Sequence, residues 1–70
     1  MNYKPFYQKV GQRIEYLRKR RGLTQEQLAE KAGLHRAYFW DVEHGRNISI
    51  KTAYNIARAL EIKLQELFNL

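Results

Sequence analysis

Residues 24–45, TQEQLAEKAGLHRAYFWDVEHG, leave this chain few folds to choose from, because they place two short helical patterns on either side of a glycine. Leu28, Ala29 and Ala32 recur at helical spacing before Gly33, and Leu34, Phe39 and Val42 turn inward after it. Thr24 precedes the first pattern as an N-cap whose hydroxyl can accept from the backbone near Gln27, and Gln27 three residues on completes a capping box. The spacing predicts one helix over Gln25 to Ala32 and another from His35 or Arg36 to a stop at Gly45.

The rest of the chain extends that pair. Pro5 suits the first position of a helix, and Phe6, Val10, Ile14 and Leu17 then form one apolar stripe that Gly22 closes. After the loop Arg46–Asn47–Ile48, Ser49 can cap a fourth helix with Ile50, Ala53, Tyr54, Ile56, Ala57 and Leu60 as its buried face. A short fifth helix carries Leu64, Leu67 and Phe68. No segment alternates as a strand does, so the expected fold is all-α: five helices in one domain, residues 1–70. Internal repeats and low-complexity tracts are absent. Seventy residues without cysteine have no disulfide or thiolate site. One small core supplies only about 3–5 kcal/mol, which makes self-association an expectation before any motif is considered.

The net charge of +6 favours a polyanionic partner. The excess is uneven: residues 1–36 carry nine basic and three acidic side chains, residues 37–70 four of each. Arg18, Lys19, Arg20 and Arg21 form the densest run; a solvated helix end, where cations offset the helix dipole, is the plainer account of it. No apolar run approaches the roughly 20 residues of a membrane span, and no signal-peptide segment precedes the first helix. A cytoplasmic protein, nucleoid-associated when bound to DNA, is the expectation.

Four segments in order, LRKRRGLTQEQLAEKAG, VEHGR, RNIS and ALEIKLQELF, resemble the lambda-repressor-like family of Cro/C1 or XRE-type helix-turn-helix regulators. GLHRAYF followed by VEHGRNIS is similar to its small members, which include restriction–modification controller proteins. The resemblance implies a compact five-helix DNA-binding domain with the helix-turn-helix at helices two and three. It also implies sequence-specific binding of a double-stranded, near-palindromic operator by a homodimeric regulator, a repressor or autoregulator.

An α-helix fits the major groove, where base edges carry a distinct hydrogen-bond code. Helix three therefore supplies the candidate base contacts, His35, Arg36, Ala37, Tyr38, Trp40 and Asp41, with His44 also on the outward side. Arg36 can donate two hydrogen bonds to guanine O6 and N7. Ala37 is small enough to touch a thymine methyl, while Tyr38 offers a hydroxyl or a half-buried ring. Trp40 has two readings, contact with sugar or thymine methyls and stacking on Arg36 one turn away. Asp41 either accepts from a cytosine amino group or pairs with a neighbouring arginine. His35 stands where the family commonly has a better N-cap, and its cationic form would oppose the helix dipole unless a phosphate lay nearby.

Candidate phosphate contacts are Gln25, at the positive end of helix two, and Arg46, Asn47 and Lys51 after helix three. Arg18 and Glu43 match a structural ion pair of the family that ties helix one to the recognition helix. Leu64, Leu67, Phe68 and Leu70 offer apolar surface for dimerisation, or for capping helix one. Lacking a sensor module, such a chain would respond through its own concentration.

Against an enzyme stand the absence of cysteine and of a carboxylate pair with a cleft to serve. His35 and His44 lack further ligands for a metal, and neither a cofactor nor a small-molecule ligand is indicated. The competing reading is an antitoxin-type interaction module that neutralises a partner protein and binds its own operator; so short a chain leaves little room for a separate toxin-binding segment.

Overall fold

The computed structural model describes residues 2–70. Its elements are α1 (Lys4–Arg20), α2 (Gln25–Ala32), α3 (Arg36–Glu43), α4 (Ile50–Ala59) and α5 (Leu64–Leu67), with no strand among the described residues. None of these helices is long and apolar enough to cross a membrane.

Local signals set most of the boundaries. The Thr24 hydroxyl accepts from the Gln27 backbone N–H at 3.0 Å, and the Gln27 side-chain oxygen accepts from the Thr24 N–H at 2.8 Å, so the capping box closes. Ser49 caps α4 through the Thr52 N–H at 3.1 Å. α1 begins at Lys4, one residue earlier than Pro5 suggested, which leaves the proline inside the first turn, where its missing N–H is no loss. In the turn between α2 and α3 the Leu34 N–H reaches back to the Ala29 carbonyl at 2.8 Å and the Gly33 N–H to that of Glu30 at 3.1 Å. That closure needs a left-handed residue, and Gly33 takes φ 72°. α4 ends in the same pair of bonds, but there the left-handed residue is Glu61, at φ 59°.

Val10 and Ile14 of α1, Leu28 and Ala29 of α2, Phe39 and Val42 of α3, Ala53, Ile56, Ala57 and Leu60 around α4, and Leu67 of α5 form one buried cluster. α2 packs on α3 and α4, α1 on α3, and α5 closes the assembly against α4 and α1. Gly11 sits where α1 crosses the end of α3. A Cβ there would lie 2.5 Å from the Val42 carbonyl oxygen and 2.6 Å from that of Glu43, so the close approach requires glycine.

Three apolar residues expected inside are not. Phe6 is 45% exposed, Ile50 67% and Tyr54 52%. The buried arc of α4 is filled by Ala53, Ile56, Ala57 and Leu60, and Ile50 and Tyr54 fall on its flank, beyond what so small a core can cover. Phe6 lies at the open end of α1, where its ring stacks on Phe68 at 6.5 Å.

Candidate nucleic-acid interface

The base of the site is a buried charge cluster. Arg18 donates from Nε to Glu43 Oε2 at 2.7 Å and from Nη2 to Oε1 at 3.3 Å, while its Nη1 donates to the Leu23 carbonyl at 2.8 Å. The Glu43 side chain has no exposed surface. Its Oε1 also accepts from the Gln25 amide at 2.9 Å, so α1, the start of α2 and the end of α3 meet at one carboxylate. One amide N–H of Gln25 is thereby committed, which fixes the side chain; the second N–H and the free backbone donors at the start of α2 remain for an anion. Gln25 is accordingly half-buried rather than fully presented to solvent.

Phe39, Val42 and Glu43 bury one side of α3, and its other side carries the exposed Arg36, Ala37 and Trp40, the half-exposed Asp41 and, just past the helix end, the exposed His44. His35 occupies the N-cap without a side-chain capping bond and is exposed, as suits a residue that caps poorly. Arg36 lies 3.7 Å from Glu26 with both side chains about seven-tenths exposed, an interaction of little strength that a stronger acceptor can displace.

Trp40 does not stack on Arg36. Its ring lies face to face with His44, centroids 3.5 Å apart and planes 12° from parallel. The imidazole Nδ1 is 2.8 Å from the Trp40 carbonyl oxygen, so Nδ1 carries the hydrogen and donates. His44, one turn onward, supplies a flat ring anchored to the same residue's backbone, while Arg36 lies towards Glu26 of α2.

Asp41 takes the pairing alternative, its Oδ2 lying 3.4 Å from Arg46 Nη1. The Arg46 guanidinium also lies over the half-buried Tyr38 ring, 4.9 Å from its centroid. Tyr38 and Asp41 thus hold Arg46 beyond the end of α3, with exposed Asn47 and Lys51 following. Ser49 satisfies the Thr52 N–H, which leaves the Ile50 and Lys51 backbone donors open at the start of α4.

Of the dense basic run, Arg18 alone is buried against a carboxylate, and the other three make exposed contacts. Arg18 goes to Glu43, Lys19 lies 3.8 Å from Glu15, and Arg21 pairs with Glu61 at 2.8 Å. Arg20 donates to the Tyr16 hydroxyl at 2.9 Å, and that hydrogen bond holds the phenol pKa below its ordinary value. The cations on the α3 side are instead Arg36, Arg46 and Lys51.

The expected dimerisation set divides. Leu67 is wholly buried in the core, so it has no surface to offer a partner; Leu64 and Phe68 are half-buried, and Leu70 is 51% exposed. The reason is that α5 spends its apolar face closing the core of its own chain. Sequence reasoning missed Gly11 and assigned His44 no partner; the four-residue spacing of Trp40 and His44 was the available signal for the stack, whereas nothing local marks Gly11.

A half-exposed second helix, tied at its base to a supporting first helix and presenting polar groups beyond a tight glycine turn, defines a helix-turn-helix unit. A helix-turn-helix family profile matches residues 14–67. The immunity repressor protein of Bacillus phage phi105 is 54% identical over 56 residues, covering 79% of this chain and 39% of the repressor. The chain thus corresponds to well under half of that relative's length. The crystal structure of the restriction–modification controller protein C.AhdI from Aeromonas hydrophila superposes with a TM-score of 0.90 at 45% identity, over 91% of this chain and 98% of the controller. SinR in complex with DNA, a master regulator for biofilm formation, gives 0.80 at 32% identity, over 86% of this chain and 98% of that one. The chain belongs to the Cro/C1-type helix-turn-helix family.

Proposed function

We propose that this chain is a cytoplasmic, non-enzymatic transcription regulator, repressing or autoregulating, that binds a near-palindromic double-stranded operator as a homodimer. The observation that carries the reading is the division of α3: Phe39, Val42 and Glu43 lock it to the body, while Arg36, Ala37, Trp40 and Asp41 face outward together. A helix so held enters the major groove with little ordering cost. Arg36 leaves Glu26 for guanine O6 and N7, and His35 and Ala37 lie beside it at the start of the helix. Gln25, Arg46, Asn47 and Lys51 contact phosphates on either side, with the helix N-termini of α2 and α4 adding backbone donors. Tyr38 and Asp41 act mainly by aiming Arg46.

The second copy docks on the exposed α4 ridge of Ile50 and Tyr54, extended by the free edges of Leu64, Phe68 and Leu70. In a twofold dimer the two α3 helices lie about 34–36 Å apart, one turn of duplex.

The test is selection from a random duplex library, followed by salt titration on the best site and on a scrambled duplex. A palindromic motif is expected, with Arg36→Ala losing about 1–3 kcal/mol of discrimination at one base pair per half-site. Binding that depends on salt but not on sequence would reject the proposal.

A further inference from the structure

The Trp40–His44 stack has no task in the fold. Trp40 is the chain's sole tryptophan, 48% exposed, and it is absent from the hydrophobic cluster and the residues packed against it. Its partner ring and the Nδ1 hydrogen bond nevertheless hold it in one orientation. Two aromatic rings in face-to-face contact, pinned to the backbone, form a plate whose side-chain entropy is already lost before any ligand arrives. Ala37, three residues before Trp40 and so its neighbour on the helix surface, adds a methyl group to the same patch. Arg36, next to Ala37 in sequence and one turn before Trp40, borders that apolar patch with a donor.

On the major-groove side of a base pair the one apolar feature is the C5 methyl of thymine. The proposed docking turns this face of α3 towards the base edges, and this inference rests on that reading. We propose that the Trp40–His44 plate, with Ala37, reads the C5 methyl of a pyrimidine adjacent to the base that Arg36 contacts, and that Trp40 is the specificity-determining residue there. His44 is a positioning residue: it keeps the indole flat against the helix. The indole ring face carries no hydrogen-bonding group, so it senses the methyl and not the exocyclic group at C4. Thymine exceeds uracil at this position, and 5-methylcytosine exceeds cytosine, by the same ratio.

The experiment uses duplexes of the selected operator in which each thymine is replaced in turn by uracil, a change of one methyl group. Wild-type protein should bind about fourfold more weakly at one symmetry-related position, the contribution of a single buried methyl. Trp40→Ala should bind the thymine and uracil duplexes equally. His44→Ala should reduce the ratio without changing the melting temperature, because both side chains are exposed. With 5-iodouracil at that position, ultraviolet crosslinking should place the adduct on Trp40. A thymine-to-uracil ratio of one at every position, or a ratio that persists in Trp40→Ala, overturns the inference while leaving sequence-specific binding intact. Failure of the wild-type protein to prefer the selected duplex over a scrambled one overturns the DNA-binding reading itself, and this inference with it.

Discussion

Arg18 shows how much of this fold hangs on one side chain. Its guanidinium satisfies both oxygens of a fully buried carboxylate and a loop carbonyl. Arg18→Ala strands the Glu43 charge and should cost about 3–5 kcal/mol, comparable to the whole stability of a domain this size. Chemical denaturation should find that variant largely unfolded at 37 °C, whereas Arg18→Met with Glu43→Leu should recover most of the loss, since no unpaired charge remains. A melting temperature unchanged in Arg18→Ala would refute the pairing. Gly11 is the converse case. Alanine there gains about 1 kcal/mol of helix propensity, but its Cβ meets two backbone carbonyl oxygens that no rotamer change can move. The expected result is a net loss of about 1–3 kcal/mol in denaturant titration. The arginine and glutamate were legible through family resemblance; the glycine was not, because its constraint comes from a helix more than 25 residues away.

At the scale of the helices, the boundaries that sequence predicted well are those written in local chemistry. The capping box at Thr24 and the left-handed glycine at position 33 fall where their residue types placed them, because both satisfy donors or acceptors within a few residues. The end of α4 has no such mark. Glu61 adopts φ 59° although a left-handed conformation costs a residue with a Cβ about 1–2 kcal/mol. Its exposed contact with Arg21 returns at most about 1 kcal/mol, and glycine at this site loses about 0.5–1 kcal/mol of chain entropy. Glu61→Gly should therefore raise stability by up to about 1 kcal/mol, read as a higher thermal midpoint. A lower midpoint would mean that the Arg21 contact outweighs the backbone strain.

For the molecule as a whole, the apolar surface left over after folding is the surface available to the proposed homodimer. Leu67 was spent on the core, and Ile50 and Tyr54 were left outside it. In the proposed homodimer, Tyr54→Ala should shift the protein from dimer towards monomer in sedimentation equilibrium and weaken operator binding, with a melting curve close to that of the parent at low concentration. A variant that stays dimeric would return the interface to Leu70 and its neighbours. What the sequence by itself determined is the set of helices, the caps at Thr24 and Ser49, the glycine turn and the basic character, since each depends on contacts within one or two helical turns or on composition alone. Tertiary structure decided the rest: which apolar residues the core has room for, which cation of the Arg18–Arg21 run is buried against a carboxylate, and which ring Trp40 lies against. Those outcomes are competitions between partners distant in sequence, or between neighbours whose rotamers a third residue biases, and residue spacing does not rank such partners.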